Sequence, residues 1–356
     1  MDCNTQAVSA VLIVVDHPVV PTPRISELEA ENRLVADHSD FIAIMAKADH
    51  RFHAGEHRAA AAFYRAAMRL VEDKGATSSG MARDAKRALA MSACFDQLFK
   101  DHLLNSLDKA GFTRANRHPR FQKSLEIMLG ERQRSPVFER FPQTPLVYFY
   151  PDLPHVEFVQ TSQYDWRGGF EASFPMMRDE ALKLLEGQSD FRPYIRTNTQ
   201  RPQGDVHGML ENADWSTYFL WENGGPVDDH VAHCPQTFKA TIDAVPLCHI
   251  GPRAPSVMLS LLRPGAHIPP HTGMVNCRYI CHLPLIVPEN CSFRVGETTI
   301  EWNEGQVIAF DDTVQHEAWN RSDKNRLVLI FDIWRPELEP SERDMITALF
   351  AAVDAY

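Results

Sequence analysis

Three residues in the last third of the chain have side chains that could act together in chemistry. His271 follows two prolines, His316 comes 45 residues later, and Arg326 lies 10 residues beyond it. A neutral imidazole is a common ligand of transition metals, and a buried guanidinium forms bidentate contacts with carboxylates. Two histidines at the ends of adjacent strands, with a cation beyond the second, therefore favour a mononuclear iron site that also holds a dicarboxylate.

The segment around these residues alternates short apolar runs with Gly, Pro and Asn turns. His267 and His271 lie in a turn-rich part of it, which we interpret as a loop. Strands are predicted at about 255–263, 276–287, 291–296, 298–303, 306–310, 315–319 and 326–334. Short strands at this spacing are typical of a β-sandwich or jelly roll.

Several motifs in this region occur in a specific order. They are RPGAHIPPHTG (263–273), HLPL (282–285), FDD (310–312), HEAW (316–319) and FDIW (331–334), preceded by DWSTYFLWENG (214–224) and GPRAPSVM (251–258). Together they make the segment from about Pro145 resemble the aspartyl/asparaginyl β-hydroxylase family of iron(II)- and 2-oxoglutarate-dependent oxygenases.

The resemblance implies an α+β protein whose C-terminal domain is a double-stranded β-helix of jelly-roll or cupin type. It implies Fe(II) held by His271 and His316, with 2-oxoglutarate as cosubstrate. Arg326 and Ser260 match the residues that bind the distal carboxylate of 2-oxoglutarate. His282 matches a polar group near its chelating end, and Arg278 is also predicted among the cofactor-binding residues. The expected reaction uses O2 to hydroxylate an unactivated C–H bond and converts 2-oxoglutarate to succinate and CO2.

One ligand of the usual iron site is missing. A facial triad has a carboxylate two residues after its first histidine, and this chain has Gly273 there. The resemblance implies that water and cosubstrate complete the coordination. Asp311 and Asp312 precede His316 and are the alternative carboxylates, either of which could order water or a ligand histidine.

The predicted strand 276–287 allows one geometric expectation. Arg278, Ile280 and His282 share a face, because strand side chains alternate. Family members that hydroxylate protein Asp or Asn carry basic residues where this chain has Ile280 and Met258. These two apolar positions make an Asp or Asn side chain a less favoured substrate. A peptide Asp or Asn, a free amino acid, a lipid acyl chain and a small natural product all stay open.

Two rival functions stay open. A cupin-like binding protein with a vestigial metal site agrees with the missing carboxylate but not with the paired Arg326 and Ser260. A zinc hydrolase would need His267 and His271 on one helix, and two prolines separate them. Succinate formation and metal reconstitution discriminate between these hypotheses.

Composition limits the partners and the compartment. The 356 residues carry 36 basic and 47 acidic side chains, so the net charge of −11 argues against nucleic acid as a partner. The seven cysteines are scattered and odd in number, which indicates reduced thiols and a cytoplasmic location. The apolar run Ala7–Val15 is too short to span a bilayer, so no membrane association is expected.

The N-terminal part reads as a separate helical domain. We predict a weakly patterned tail at 1–36, a helical domain at 37–140 and the hydroxylase-like domain at 141–356. Helices are expected at Asp40–Ala54 and Glu56–Val71, with a second helix pair within Met81–Ala110. The offsets of Gly55, Ala60, Tyr64 and Ala67 resemble a tetratricopeptide repeat. A peptide-binding repeat module and a plain packing domain have equal support.

Two further helices are predicted in the C-terminal domain. Trp166–Glu186 is amphipathic, and a capping box at Ser341 and Asp344 precedes a second apolar-faced helix. The last helix is predicted to cover the barrel or to form a homodimer contact. The aromatic residues between Asn212 and Asn223 are interpreted as core.

Overall fold

The computed structural model describes residues 19–187, 190–198, 201–202 and 208–356. Two compact units divide the chain. The first comprises Met1–His102, Asn198–Gly204 and Tyr356, and the second comprises Leu103–Thr197 and Asp205–Ala355. Residues 103–140 thus group with the second unit, while the predicted domain limits themselves stay predictions. A strand predicted at 11–15 lies outside the described residues.

Helices form the described part of the N-terminal region, as the sequence periodicity predicts. They are α1 Glu27–Ala36, α2 Phe41–His53, α3 His57–Lys74, α4 Ser79–Lys109 and α5 Pro119–Met128. Gly55 joins α2 to α3 with φ of 78°, a conformation that glycine adopts without strain. Ala60, Tyr64 and Ala67 are buried on α3. The helical region is confirmed, and its likeness to a tetratricopeptide repeat stays a prediction.

The helices of this region differ from the prediction in two places. Part of the predicted tail is α1, which begins after Ser26, whose hydroxyl accepts the Glu29 N–H at 3.2 Å and caps the helix. The predicted helix pair after residue 80 is the single helix α4. No proline or glycine follows Gly80 within it, so the chain contains no residue that would break the helix.

The predicted helix Trp166–Glu186 is also two helices. They are followed by three more, so that the second unit also contains α6 Asp165–Glu171, α7 Phe174–Glu186, α8 Asp228–His233, α9 Pro235–Ala244 and α10 Pro340–Asp354. Pro175 lies in the first turn of α7. Because proline lacks an N–H and clashes with the preceding turn, α6 cannot continue through it.

Two antiparallel sheets form the C-terminal fold. The strands are β1 Phe158–Val159, β2 Arg192–Pro193, β3 Trp215–Glu222, β4 Gly225–Pro226, β5 Val257–Leu262, β6 His267–His271, β7 Arg278–Ile286, β8 Cys291–Val295, β9 Thr298–Glu301, β10 Ile308–Phe310, β11 His316–Asn320 and β12 Arg326–Trp334. The larger sheet has the order β1-β10-β7-β12-β5-β3-β2, with β4 beside β3, and the smaller has the order β6-β11-β8-β9. The predicted jelly-roll fold after a helical region is confirmed.

Alternation along the larger sheet separates its two faces. Leu259, Leu283 and Leu329 belong to one apolar cluster with Phe170 of α6 and Met177 of α7. Their strand neighbours face the other way, toward the smaller sheet, where a cavity is lined by both sheets. Helices thus cover one face of the sheet, and the other face is available to position a site.

Five strands, β1–β4 and β6, were not predicted, and two of them, β3 and β6, contribute residues to the cavity wall. His267–His271 is strand β6 although it contains Pro269 and Pro270. It pairs only with β11, at the edge of the smaller sheet, where a missing N–H is tolerated. The aromatic run Trp215–Glu222 is strand β3, and its first four residues are all buried, so both of its faces are covered there.

The C-terminal helix packs within its own chain. Met345, Ile346 and Leu349 on its predicted apolar face are buried. The helix begins at Pro340 rather than after Ser341, and the Glu339 N–H donates to the Glu342 carboxylate at 2.9 Å. Among the described residues, no helix combines the length and apolarity needed to cross a membrane.

Candidate active site

A cavity of about 540 Å³ opens between the two sheets. Strands from both sheets contribute its wall, so residues far apart in sequence meet there. All six residues predicted to form the site line it: Ser260, His271, Arg278, His282, His316 and Arg326.

The two predicted metal ligands lie side by side. His271 ends β6 and His316 begins β11, and the two are direct partners in the antiparallel ladder. Their ring centroids are 4.1 Å apart. The Nδ1 of His271 donates to the Pro269 carbonyl at 2.8 Å, and that of His316 donates to the Val314 carbonyl at 3.0 Å. Since a carbonyl can only accept, each Nδ1 carries the proton and each Nε2 keeps a lone pair.

These contacts prepare both rings for metal binding. Burial lowers the pKa of His316 to about 4, so this ring is neutral at physiological pH. No group of three or more histidine, cysteine or acidic side chains suited to a metal occurs in the part of the chain that the structure describes. The protein therefore offers two nitrogen donors, which fit an iron ion whose other positions take water and cosubstrate.

Arg326 is a buried cation at the base of the cavity. It is 1% exposed, and its Nη1 makes one long contact with the Ser260 carbonyl at 3.5 Å. Its Nε has no hydrogen-bond partner, and among the described residues no carboxylate is paired with it. Burial lowers its pKa to about 10, which still leaves it charged at neutral pH. A buried unpaired guanidinium fits a carboxylate ligand.

Ser260 and His282 complete this end of the cavity. Ser260 is buried, and its Oγ accepts the Trp215 Nε1–H at 3.3 Å, so its own hydroxyl proton can be donated to a ligand. His282 is buried with its Nδ1 lacking a partner. Burial, followed by the charge of Arg326, lowers its pKa well below the usual value. His282 is therefore a neutral polar group that faces the cavity.

Arg278 lines the cavity, but its charge is already paired. Its guanidinium lies 3.2 Å from Asp312 and 3.3 Å from Asp332. Burial raises the pKa of both carboxyls, in the case of Asp332 to about 6, and Arg278 opposes that rise. The predicted role of Arg278 in cosubstrate binding stays a prediction, and the geometry gives it a structural role that the sequence did not reveal.

Replacement of Arg278 by methionine tests that structural role. We expect the free energy of unfolding to fall by about 3–5 kcal/mol at pH 7, because two buried carboxylates lose their partner. The loss should shrink as the pH falls toward 5, since a carboxyl with a raised pKa is protonated there and carries no charge. Urea unfolding at pH 5, 6 and 7 measures this, and a loss that does not vary with pH would contradict it.

Asp312 occupies the space beside Gly273. The Gly273 N–H donates to the Asp312 carbonyl at 2.6 Å. A Cβ at position 273 would lie 1.9 Å from Asp312 Oδ2. The chain thus places a carboxylate next to the position where the usual triad has one. Asp311, the other sequence candidate, bonds instead to Arg335 at 2.9 Å and Gln143 at 2.6 Å and does not line the cavity.

Comparisons with known proteins agree with this geometry. A family model described as aspartyl/asparaginyl beta-hydroxylase matches part of the chain. Residues 171–336 match this hydroxylase family. The family resemblance predicted from the sequence is therefore confirmed, and the matched residues, here called the hydroxylase segment, contain every predicted site residue.

Named relatives match the same region. The human aspartyl/asparaginyl beta-hydroxylase is 31% identical over 197 residues, which are 55% of this chain and 23% of that protein. The ornithine lipid ester-linked acyl 2-hydroxylase of Rhizobium tropici is 32% identical over 195 residues, 54% of this chain and 65% of that protein. The chain thus spans less than two thirds of either relative.

Solved structures show only distant likeness. AviO1 from Streptomyces viridochromogenes Tue57 has a TM-score of 0.29 and 15% identity, over 48% of this chain and 87% of that one. A prolyl-4-hydroxylase from Pseudomonas putida has a TM-score of 0.28 and 15% identity, over 46% and 88%.

Trp215 is the site residue that sequence reasoning missed. It was interpreted as core, yet it lines the cavity of the hydroxylase segment and its ring lies 5.7 Å from that of His271. Its indole N–H holds Ser260. The feature that indicates a site role for Trp215 is its position in β3. There it pairs with Leu262 of β5, close to Ser260, which is predicted to bind the carboxylate.

Replacement of Gly273 by aspartate tests the local geometry of the hydroxylase segment. The change restores the usual triad sequence, but we expect turnover to fall about tenfold or more, because the new Cβ would overlap Asp312. Overpacking of this kind costs about 1–3 kcal/mol. Succinate formation and thermal unfolding measure both effects. The double variant Gly273→Asp/Asp312→Gly removes the overlap and serves as control. A large gain in the single variant would instead indicate an impaired native site.

Proposed function

We propose that this protein is a hydroxylase that uses Fe(II), 2-oxoglutarate and O2 to oxidise an unactivated C–H bond. One observation carries the proposal. The cavity is lined by two adjacent imidazoles and by the buried guanidinium of Arg326, whose Nε has no hydrogen-bond partner. A metal site alone would not need that cation, and a dicarboxylate that reaches the metal would bind both.

The residues divide into three roles. His271 and His316 would hold the iron through Nε2, since their Nδ1 protons are donated to carbonyls. Arg326 binds the distal carboxylate of 2-oxoglutarate, and the Ser260 hydroxyl donates a second hydrogen bond to it. Neutral His282 lies beside the chelating end without adding charge.

The chemistry that the bound iron supplies is O2 activation, with 2-oxoglutarate as the reductant. The balance is one O2 and one 2-oxoglutarate per substrate, which gives succinate, CO2 and the alcohol. The cavity wall also contributes apolar side chains, among them Ile268, Phe293 and Ala318.

The relatives suggest which carbon reacts. One is named for the β-carbon of aspartyl or asparaginyl residues and the other for carbon 2 of an acyl chain. In both cases the carbon is bonded to a carbonyl carbon. We extend this to the present chain and expect hydroxylation next to a carbonyl group.

Succinate formation from 2-oxoglutarate tests the proposal. Purified protein with Fe(II), ascorbate and O2 should form succinate, and His316→Ala protein should not. A screen of peptides and small molecules for a mass gain of one oxygen that depends on 2-oxoglutarate identifies the substrate. Binding of neither iron nor 2-oxoglutarate would favour the rival, a cupin-like binding protein with a vestigial site.

A further inference from the structure

A second cavity of about 210 Å³ adjoins the candidate active site. Two residues, Met274 and Arg278, line both cavities, so the two spaces share a wall. The remaining wall of the second cavity is mostly apolar and includes Val147, Ile250, Ala254, Val275 and Phe350. None of these five residues has a role in the chemistry proposed above.

The two arginines in the described lining of the second cavity are already paired with carboxylates. Arg278 is held between Asp312 and Asp332. In the second cavity, Arg253 forms an ion pair with Asp354 at 2.6 Å and lies over the Phe350 ring. An anionic group that entered the second cavity would lose its hydration without gaining a new ion pair, because both arginines already have carboxylate partners.

The surface between the two cavities is apolar. Leu146 and Val147 run beside the loop after His271, with the Leu146 N–H bonded to the Gly273 carbonyl at 3.0 Å and the Val147 N–H bonded to the Met274 carbonyl at 2.9 Å. These side chains are unusually accessible for their type: Leu146 is 68% exposed, Met274 46% and Val147 40%. Large apolar side chains at a cavity mouth indicate an apolar ligand.

The floor of the first cavity is also largely apolar. Met258, Ile330 and His282 lie side by side across three adjacent strands, and Ile280 follows His282 on the same face of β7. Apart from His282, the row between the metal-facing histidines and Arg278 thus offers methyl and methylene groups. A reacting carbon placed over this row would contact the hydrocarbon side chains of Met258, Ile280 and Ile330.

We propose that the second cavity is the distal part of the substrate site and takes the end of a single uncharged aliphatic chain. The chain lies over Met274, and its oxidised carbon lies in the first cavity near His271 and His316. The inference rests on the proposed function for the reaction, but the binding site itself is independent of it.

Chain length gives the direct test. The probes are neutral N-methyl alkanamides of 4, 6, 8 and 10 carbons, titrated calorimetrically into the metal-free protein. Affinity should rise about fourfold for each added methylene that is buried, until the second cavity is filled. An analogue of the longest probe with a terminal carboxylate should bind about tenfold more weakly or worse. An affinity that does not change with chain length would overturn the proposal.

Val147 offers a variant that blocks only the second cavity. Val147→Trp should remove the gain from longer chains and leave the binding of the 4-carbon probe unchanged. Val147→Ser, which adds no bulk, should weaken only the longer probes by several-fold. Val137→Trp is the matched control, because Val137 is 51% exposed and lines neither cavity. Equal chain-length dependence in Val147→Trp and Val137→Trp would exclude this cavity.

Parallel succinate assays separate the two proposals. Succinate formation without any chain-length dependence would exclude the aliphatic site and leave the hydroxylase function standing. Chain-length dependence that Val147→Trp abolishes, in a protein that forms no succinate, would support the site and overturn the function.

Discussion

Replacement of Arg326 by alanine is expected to weaken 2-oxoglutarate binding by about one to three orders of magnitude. A charge-assisted hydrogen bond contributes about 1.5–3 kcal/mol, and leaving a buried carboxylate unpaired costs about 3–5 kcal/mol. At about 1.4 kcal/mol per tenfold change in affinity, these values give the stated range. Arg326 is charged at neutral pH despite burial, so the whole contribution is available.

The measurement is titration of 2-oxoglutarate into iron-loaded protein without O2. Arg326→Lys should recover only part of the affinity, because an ammonium is a point charge and cannot form the two-pronged contact. Arg321→Ala is the control, since Arg321 lies over the Trp319 ring, bonds to Ser292 and does not line the cavity. Iron affinity should change little in all three variants. Unchanged 2-oxoglutarate affinity in Arg326→Ala would remove the main support for the oxygenase.

Strand alternation predicted which side chains of one strand share a face, because it acts over two residues. Arg278, Ile280 and His282 share a face in the sequence and line one cavity in the structure. The motif order also predicted that His271 and His316 would meet, and they are direct ladder partners. The side-chain periodicity of a single strand or helix is the same in the sequence and in the folded protein, because the backbone geometry sets it.

Features that depend on distant pairings were not predictable in this way. The two prolines of β6 suggested a loop, and only the edge position of that strand explains why they are tolerated. The contact between Gly273 and Asp312 joins residues 39 positions apart. Likewise, nothing near Arg278 in the sequence indicated that Asp312 and Asp332 would pair with it. Long-range contacts of this kind follow from topology rather than from composition.

These contacts change the interpretation of the incomplete triad. The absence of an acid at position 273 suggests a lost site when it is considered alone. In the folded chain the Asp312 carboxylate lies against Gly273 and Oδ1 has no hydrogen-bond partner. An unpartnered buried carboxylate oxygen is costly, and Asp312 lines the same cavity as the two imidazoles, so the missing acid at position 273 does not by itself indicate a lost site.

Replacement of His316 by alanine has the largest expected effect on turnover. Half of the protein's nitrogen donors at the site would be lost, so iron-dependent succinate formation should fall to the background rate. The fold should be retained, because His316 faces the cavity, and we expect the free energy of unfolding to change by about 1 kcal/mol or less.

A neighbouring histidine provides the control for this variant. His267 is on the same strand pair, but its Nε2 is 2.9 Å from Glu317 and its ring stacks on Trp319 outside the cavity. His267→Ala should therefore keep iron binding and succinate formation. Iron affinity measured by anaerobic titration, together with thermal unfolding, separates loss of the metal from loss of the fold. Full activity in His316→Ala would exclude this residue as a ligand, and equal losses in both variants would indicate damage to the β6–β11 pair rather than to the metal site.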